Sequence, residues 1–205
     1  MKAWHFVGET LRDGRPIPSD GEWLSHDGEL IMCKSGLHAS IRIIDALIYA
    51  PGSTICRVEV GGEIYHGDDK LVAVKRKILW RIDGEAVLRA FARWRALQVV
   101  HLWDAPAVVI EYLTTGNENV RAAARDAAWD AARDVAWNAA RSAAWDAAWD
   151  AARDVAWNAA RGVARGVARG VARGTQNEQL INMVHEFRNG KTEWIFDVPE
   201  ESEER

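Results

Sequence analysis

Residues 54–80, TICRVEVGGEIYHGDDKLVAVKRKILW, decide the class of fold. In Thr54–Val60, Ile55, Arg57 and Glu59 alternate with Cys56, Val58 and Val60, the period of two that marks a half-buried strand. Gly61–Gly62 read as a turn, and Leu71–Trp80 as a second β-rich run. Upstream, Lys2–Val7 (KAWHFV) reads as a first strand. A loop follows, marked by Gly14, Pro16, Pro18, Asp20 and Gly21, and then a short apolar strand over Glu29–Cys33. Ser40 is placed to cap a helix over Ile41–Tyr49, with Ile43, Ile44, Leu47 and Ile48 as its buried side and Pro51–Gly52 as its stop.

Downstream, Asp83 is placed to cap a helix carrying Val87, Leu88, Phe91, Trp94 and Leu97 and reaching Trp103. The apolar run Ala107–Leu113 suits helix or strand; helix is the favoured reading, ended near Gly116. Strands, helix, strands and then helices make an α+β order. The expected organisation is an α+β domain over 1–116, a repeat segment over 117–174, a helix plus strand returning to the first domain over 175–198, and a disordered acidic tail over 199–205. In the returning piece, Thr175 and Glu178 form a capping box ahead of Leu180, Ile181, Val184 and Phe187. Asn189–Gly190 is a tight turn, and Thr192–Val198 alternates like a strand.

The repeat segment reads, in fours from Ala123, AARD AAWD AARD VAWN AARS AAWD AAWD AARD VAWN AARG VARG VARG VARG. Ala127–Arg141 recurs unchanged as Ala147–Arg161, the mark of a duplicated segment. Ala and Arg favour helix, so the segment is expected to be mostly helical. A period of four, however, advances each Trp/Arg position by about 40° around a helix, so no single stripe faces a core. One right-handed supercoiled helix, several short helices, and a tetrapeptide solenoid that is not an α-helix all remain open.

Within a helix, neighbours four apart touch. Trp129, Arg133, Trp137, Arg141, Trp145, Trp149, Arg153, Trp157 and Arg161 then form a ladder of indole and guanidinium planes, a surface suited to self-association or to a host protein partner. In the last units the fourth-position acid becomes Gly162, Gly166, Gly170 and Gly174, while Arg161, Arg165, Arg169 and Arg173 remain. The glycines are expected to loosen a solvated helix end. The arginines form a cationic patch that could take nucleic acid, although the net charge of −4 does not suit a protein built to coat it.

Two cysteines, Cys33 and Cys56, and no apolar leader ahead of them point to a reduced cytoplasmic setting. No run approaches the roughly 18 apolar residues of a membrane span.

Residues 33–64 resemble an uncharacterised phage and prophage domain family. The shared positions are Gly36, Leu37, His38 and Ala39 in a Gly-aliphatic-His-Ala box, Asp45, Leu47 and Tyr49 in a short helix, and Pro51. A strand with Val58 and Glu59 follows, and then Gly62, Glu63 and Ile64. The resemblance covers about the first 80 residues. It implies a mobile-element origin, and hence the cytoplasm of a host, without implying a chemistry.

Lys34, Ser35 and His38, with Cys33 nearby, are the candidate ligand-binding residues. Lys34, Lys75, Arg76 and Arg161–Arg173 are candidate basic groups for a signalling nucleotide. A local role for His38 at a helix entry is the plainer reading. His5, His26, His66, His101 and His185 lack metal-ligand spacing, so no metal is expected, and no cofactor motif is present. The order His5, the Ser35–Ser40 box, Tyr49 and Glu111 loosely resembles ADP-ribosyltransferases. That resemblance implies grip of a nicotinamide dinucleotide by His5, stacking on Tyr49 and steering by Glu111. It departs from the pattern in lacking a His-Gly-Thr after the first strand, and Glu111 lies in a helical run. The leading expectation is a non-enzymatic interaction protein, acting by self-association, ligand sequestration or protein blocking. A dinucleotide-using enzyme and a nucleic-acid-binding protein are the alternatives.

Overall fold

The structure of the protein, a computed structural model, describes residues 1–131 and 155–199, with the backbone alone over 155–171. The chain divides into two compact units, Met1–Arg89 with Thr175–Thr192 and Ala90–Gly174 with Glu193–Arg205. A sheet with flanking helices makes the architecture α+β.

The first unit is organised by a long antiparallel hairpin, β4 (Thr54–His66) against β5 (Leu71–Asp83). β1 (Lys2–Val7) lies antiparallel on β4, while β2 (Trp23–Ser25) and β3 (Leu37–Ala39) pair with separate stretches of β5. The expected turn at Gly61–Gly62 is instead a bulge, with a register shift between Gly61 and Ile64 and Gly62 at φ +75°. A left-handed glycine absorbs the extra residue without ending the ladder. The chain turns five residues later, where the Gly67 N–H donates to the Lys70 carbonyl at 2.8 Å.

Ala3, Val7, Ala39, Cys56, Val58, Val60, Leu71, Ala73 and Ile78 form one buried cluster on the sheet. Trp4 is also buried; it meets Trp80 edge-on, with centroids 5.7 Å apart, and carries the Arg57 guanidinium 4.5 Å from its ring centroid.

Other local expectations change. Glu29–Cys33 is not a strand: Ile31 and Ser35 exchange both backbone hydrogen bonds at 2.9 Å, folding the segment into a tight loop. Ser40 does not cap α1, because its backbone is paired with Trp4, at 2.7 and 2.9 Å. The helix starts at Arg42 and spans Ile43–Ile48. Its buried residues are Ile43, Ile44, Asp45 and Ala46, whereas Ile48 is exposed. Six residues are too few to follow the four-residue apolar spacing the sequence suggested.

α2 (Glu85–Leu97) begins where expected, with the Glu85 N–H donating to Asp83 Oδ1 at 3.1 Å. It stops at Leu97 rather than Trp103, and a 3₁₀ turn, Val100–Leu102, follows. α3 (Ala107–Thr115) is helix, ended by left-handed Gly116 as the sequence predicts. Residues 121–131 are helical (α4), and α5 spans Val155–Arg188. Both described ends of the Ala-rich array are therefore α-helix. The choice among its three geometries lies outside the described residues.

α5 also corrects two expectations. Helix continues through Gly162–Gly174, so the Thr175 capping box lies inside a helix and starts nothing. Each glycine costs about 1 kcal/mol against Ala, which the cooperative Ala/Arg context and a packed end outweigh. Leu180, Met183 and Val184 in that end are fully buried, and the Arg188 guanidinium lies 4.0 Å from the Trp80 ring centroid. The turn at Asn189–Gly190 is present. The Lys191 N–H bonds the Glu186 carbonyl and the Gly190 N–H that of Phe187, a Schellman closure with Gly190 at φ +98°.

Thr192–Val198 is not a strand and does not return to the sheet. Within the second unit, the Phe196 N–H bonds the Thr114 carbonyl and the Trp194 carbonyl accepts from Arg93. Beyond Pro199, the acidic tail lies outside the described residues. Among the described residues, no helix is long and apolar enough to cross a membrane.

Candidate functional site

One face of the first unit's sheet opens into a cavity of about 830 Å³, within the range of small-molecule sites. Register builds its floor. β1 pairs His5 with Cys56, and β5 pairs Arg76 with Val60, and cross-strand partners share a face. His5 and Arg76 thereby project on the side of Cys56, Val58 and Val60. The loop ahead of β3 and the end of α1 supply the walls, bringing Lys34, Ser35, His38 and Tyr49 to the same cavity.

Arg76 is the unusual group. The residue is 7 % exposed, and burial pulls its guanidinium down to a pKa of about 10, so it stays charged at neutral pH. Among the described residues its one hydrogen bond runs from Nη1 to the His38 carbonyl. Among the described residues no buried polar side-chain atom lacks a partner, so the remaining guanidinium N–H groups reach the cavity. Arg12, Lys34 and Lys70 line the same cavity. Among the described residues none of these four cations has a carboxylate within ion-pair distance. The single carboxylate on the wall, Asp13, is taken up by Arg15 at 2.7 Å.

Two of the three histidines on the wall, His5 and His38, are neutral neighbours of this charge. Burial, then Arg76, then His38 hold His5 well below the usual imidazole pKa. His38 is lowered chiefly by burial, with Lys70, Arg76 and Arg12 adding to it against a hydrogen bond to Gly36. Both its ring nitrogens are engaged. The Cys33 N–H donates to Nε2 at 2.9 Å, so Nδ1 carries the proton and donates to the Gly36 carbonyl at 3.1 Å. His38 therefore braces the 33–38 loop and holds Cys33 in its left-handed conformation, φ +67°. Cys56, beneath the cavity, is a buried thiol pushed up to about 11 by desolvation. Ser35 Oγ bonds His26 Nε2 at 2.9 Å. On Tyr49 the hydroxyl donates to Asp69 at 2.6 Å, and the Lys70 ammonium sits 3.8 Å from the ring centroid.

Of the residues singled out from the sequence, Lys34, Ser35, His38, His5, Tyr49 and Arg76 converge here. Lys75 is exposed and faces elsewhere. Glu111 does not line the cavity; it lies on α3 in the second unit, where its Oε1 accepts from Asn117 at 3.3 Å. Lys70 and Arg12 escaped the sequence reading because nothing distinguishes a turn lysine or a loop arginine until the fold closes over them. In the array, Trp129 is 72 % exposed on α4. Trp157, Arg161, Arg165 and Arg169 fall on the backbone-only part of α5, and Arg173 is half-buried. Arg133, Trp137, Arg141, Trp145, Trp149 and Arg153 lie outside the described residues. Among the described residues there is no cluster of His, Cys, Asp and Glu that could hold a metal ion.

No curated protein and no solved structure matches the chain. Residues 1–90, which carry the whole sheet and every cavity residue named above, match the family model of a domain of unknown function, DUF7666.

Proposed function

We propose that the chain is an accessory protein of phage or prophage origin whose first unit binds and sequesters a small anionic ligand, and whose Trp/Arg array drives self-association. A signalling nucleotide of the host is the fitting ligand, and its removal would act as a counter-defence. The observation that carries the ligand reading is Arg76, a nearly buried cation with no carboxylate partner among the described residues and with N–H groups turned into a cavity. A buried charge left unpaired costs several kcal/mol, and a bound anion is the group that offsets it.

Binding rather than turnover is the reading that the cavity wall supports. Burial holds His5 well below the usual imidazole pKa, both ring nitrogens of His38 are engaged, His26 Nε2 is bonded to Ser35, and the one carboxylate on the wall is paired. A transferase acting on a nicotinamide dinucleotide is the second reading, favoured by the presence of His5 and Tyr49 on that wall. It requires an acid, and the cavity's own lining offers only Asp13, which Arg15 holds.

The test is thermal-shift and calorimetric screening of the purified full chain against nucleotides and simple organic anions. An anion should raise the melting temperature, and Arg76→Met should abolish that rise. Stabilisation by neutral ligands alone would refute the reading. Steady consumption of a nicotinamide dinucleotide would favour the enzyme.

For the array, light scattering coupled to size exclusion should report an oligomer for the full chain. Deletion of Ala123–Gly174 should yield a monomer, and a monomeric mass for both forms would exclude self-association.

A further inference from the structure

Cations stand at two depths in the cavity. At the bottom Arg76, beside neutral His5, presents a planar guanidinium with unused N–H groups. Toward the mouth stand half-buried Lys70 and exposed Arg12 and Lys34. Arg76, Lys70, Arg12 and His38 all line this one cavity. Like charges so gathered repel, and a single monovalent anion leaves most of that repulsion standing.

We infer that the ligand carries two linked anionic groups, of diphosphate or bisphosphate type, with one phosphate on Arg76 at the floor and the second among Arg12, Lys34 and Lys70 at the mouth. This rests on the anion-binding reading of the cavity and names the ligand class within it. A tetrahedral phosphate offers several acceptor oxygens to the Arg76 fork, and charge-assisted bonds of this kind are short and strong in a site removed from water. The outer cations suit a group that stays partly hydrated. Lysines are flexible point charges that follow a second phosphate without imposing a fixed geometry. The two layers make different contributions: the floor sets affinity for any phosphate, and the mouth sets the preference for two.

The test is calorimetry on the full chain with inorganic pyrophosphate, orthophosphate and citrate at two ionic strengths. Pyrophosphate should bind at least about tenfold more tightly than either comparator and weaken as salt rises. Arg76→Met should weaken pyrophosphate and orthophosphate alike by about ten- to a hundredfold. Arg76→Lys keeps the charge and loses the fork; it should weaken both by a smaller factor and decides the floor's role if the Met variant does not fold. The double variant Lys34→Ser/Lys70→Met, at the mouth, should weaken pyrophosphate by a larger factor than orthophosphate and so narrow the gap between them. Equal binding of orthophosphate and pyrophosphate, or equal weakening of both by the mouth variant, would overturn the two-group inference and leave the anion site standing. Citrate matching pyrophosphate would overturn the phosphate assignment. If none of the three anions bound, and no monocarboxylate did either, both the inference and the reading beneath it would fall.

Discussion

Arg93→Ala is expected to lower the stability of the second unit by about 3–4 kcal/mol, since it removes several bonds from one charged group and strands their acceptors. Arg93 lies on α2 and is 8 % exposed. It donates to the carbonyls of Leu113 at 3.1 Å, Thr114 at 3.3 Å and Trp194 at 2.9 Å. Two of those acceptors are at the carboxyl end of α3, where unpaired carbonyls and the helix dipole both favour a cation. The third belongs to the extended segment after the second unit's chain re-enters at Glu193, and Arg93 also lies 5.2 Å from the Phe196 ring centroid. One side chain thus ties a helix end to a segment that has no strand partner. Burial pulls the Arg93 pKa down from its usual value, and the carbonyls are what offset its desolvation. Arg93→Lys should recover only part of the loss, because an ammonium cannot span three acceptors in fixed directions. Denaturant unfolding gives the magnitude, and hydrogen exchange at the Phe196 amide, which bonds Thr114 at 3.0 Å, gives the location. A loss below about 1 kcal/mol with Phe196 still protected would show that the segment is held by packing alone.

Gly36→Ala should cost about 3 kcal/mol and remove ligand binding with it. Gly36 sits at φ +108°, and a Cβ there would lie 2.4 Å from Val72 Cγ2 and 2.8 Å from Leu30 Cδ2. Relief requires moving the loop, and the loop carries the cavity wall. The Gly36 carbonyl accepts from His38, whose other nitrogen accepts from Cys33. Gly14→Ala separates the two effects. It has φ +82° but nothing within 4 Å of the added carbon, so it should cost only the backbone penalty, about 1–2 kcal/mol. Thermal melts of the two variants, with anion binding as a second readout, settle the comparison. Equal losses would mean that the clash at Gly36 is relieved by side-chain adjustment.

Legibility from sequence followed the range of the physics. The alternation in Thr54–Val60 marks half-buried strand wherever it is placed, and the Ala/Arg array is helix at both described ends because propensity is local. Gly116 and Gly190 were legible as stops for the same reason: a left-handed residue closes a helix using only its neighbours. Of the cavity, the GLHAS box and the basic candidates Lys34 and Arg76 stood out in the sequence, as did His5 and Tyr49, but not the fact that they share one space.

What failed were readings that depended on partners far along the chain. Gly61–Gly62 has the composition of a turn, and only its pairing with β5 makes it a bulge. Thr175–Glu178 has the composition of a helix start, and only the helix arriving from Val155 overrides it. Thr192–Val198 alternates like a strand but meets Arg93 and Thr114 instead of a sheet edge. The sequence by itself determined the α+β class, the hairpin strands, the helical ends of the array and the glycines that close α3 and α5, because these depend on periodicity and backbone preference within a few residues. Only the tertiary structure decided that Arg76 is buried without a carboxylate among the described residues and that Arg12 and Lys70 share its cavity. Burial and charge pairing belong to residues brought together from distant parts of the chain, and no local pattern records them.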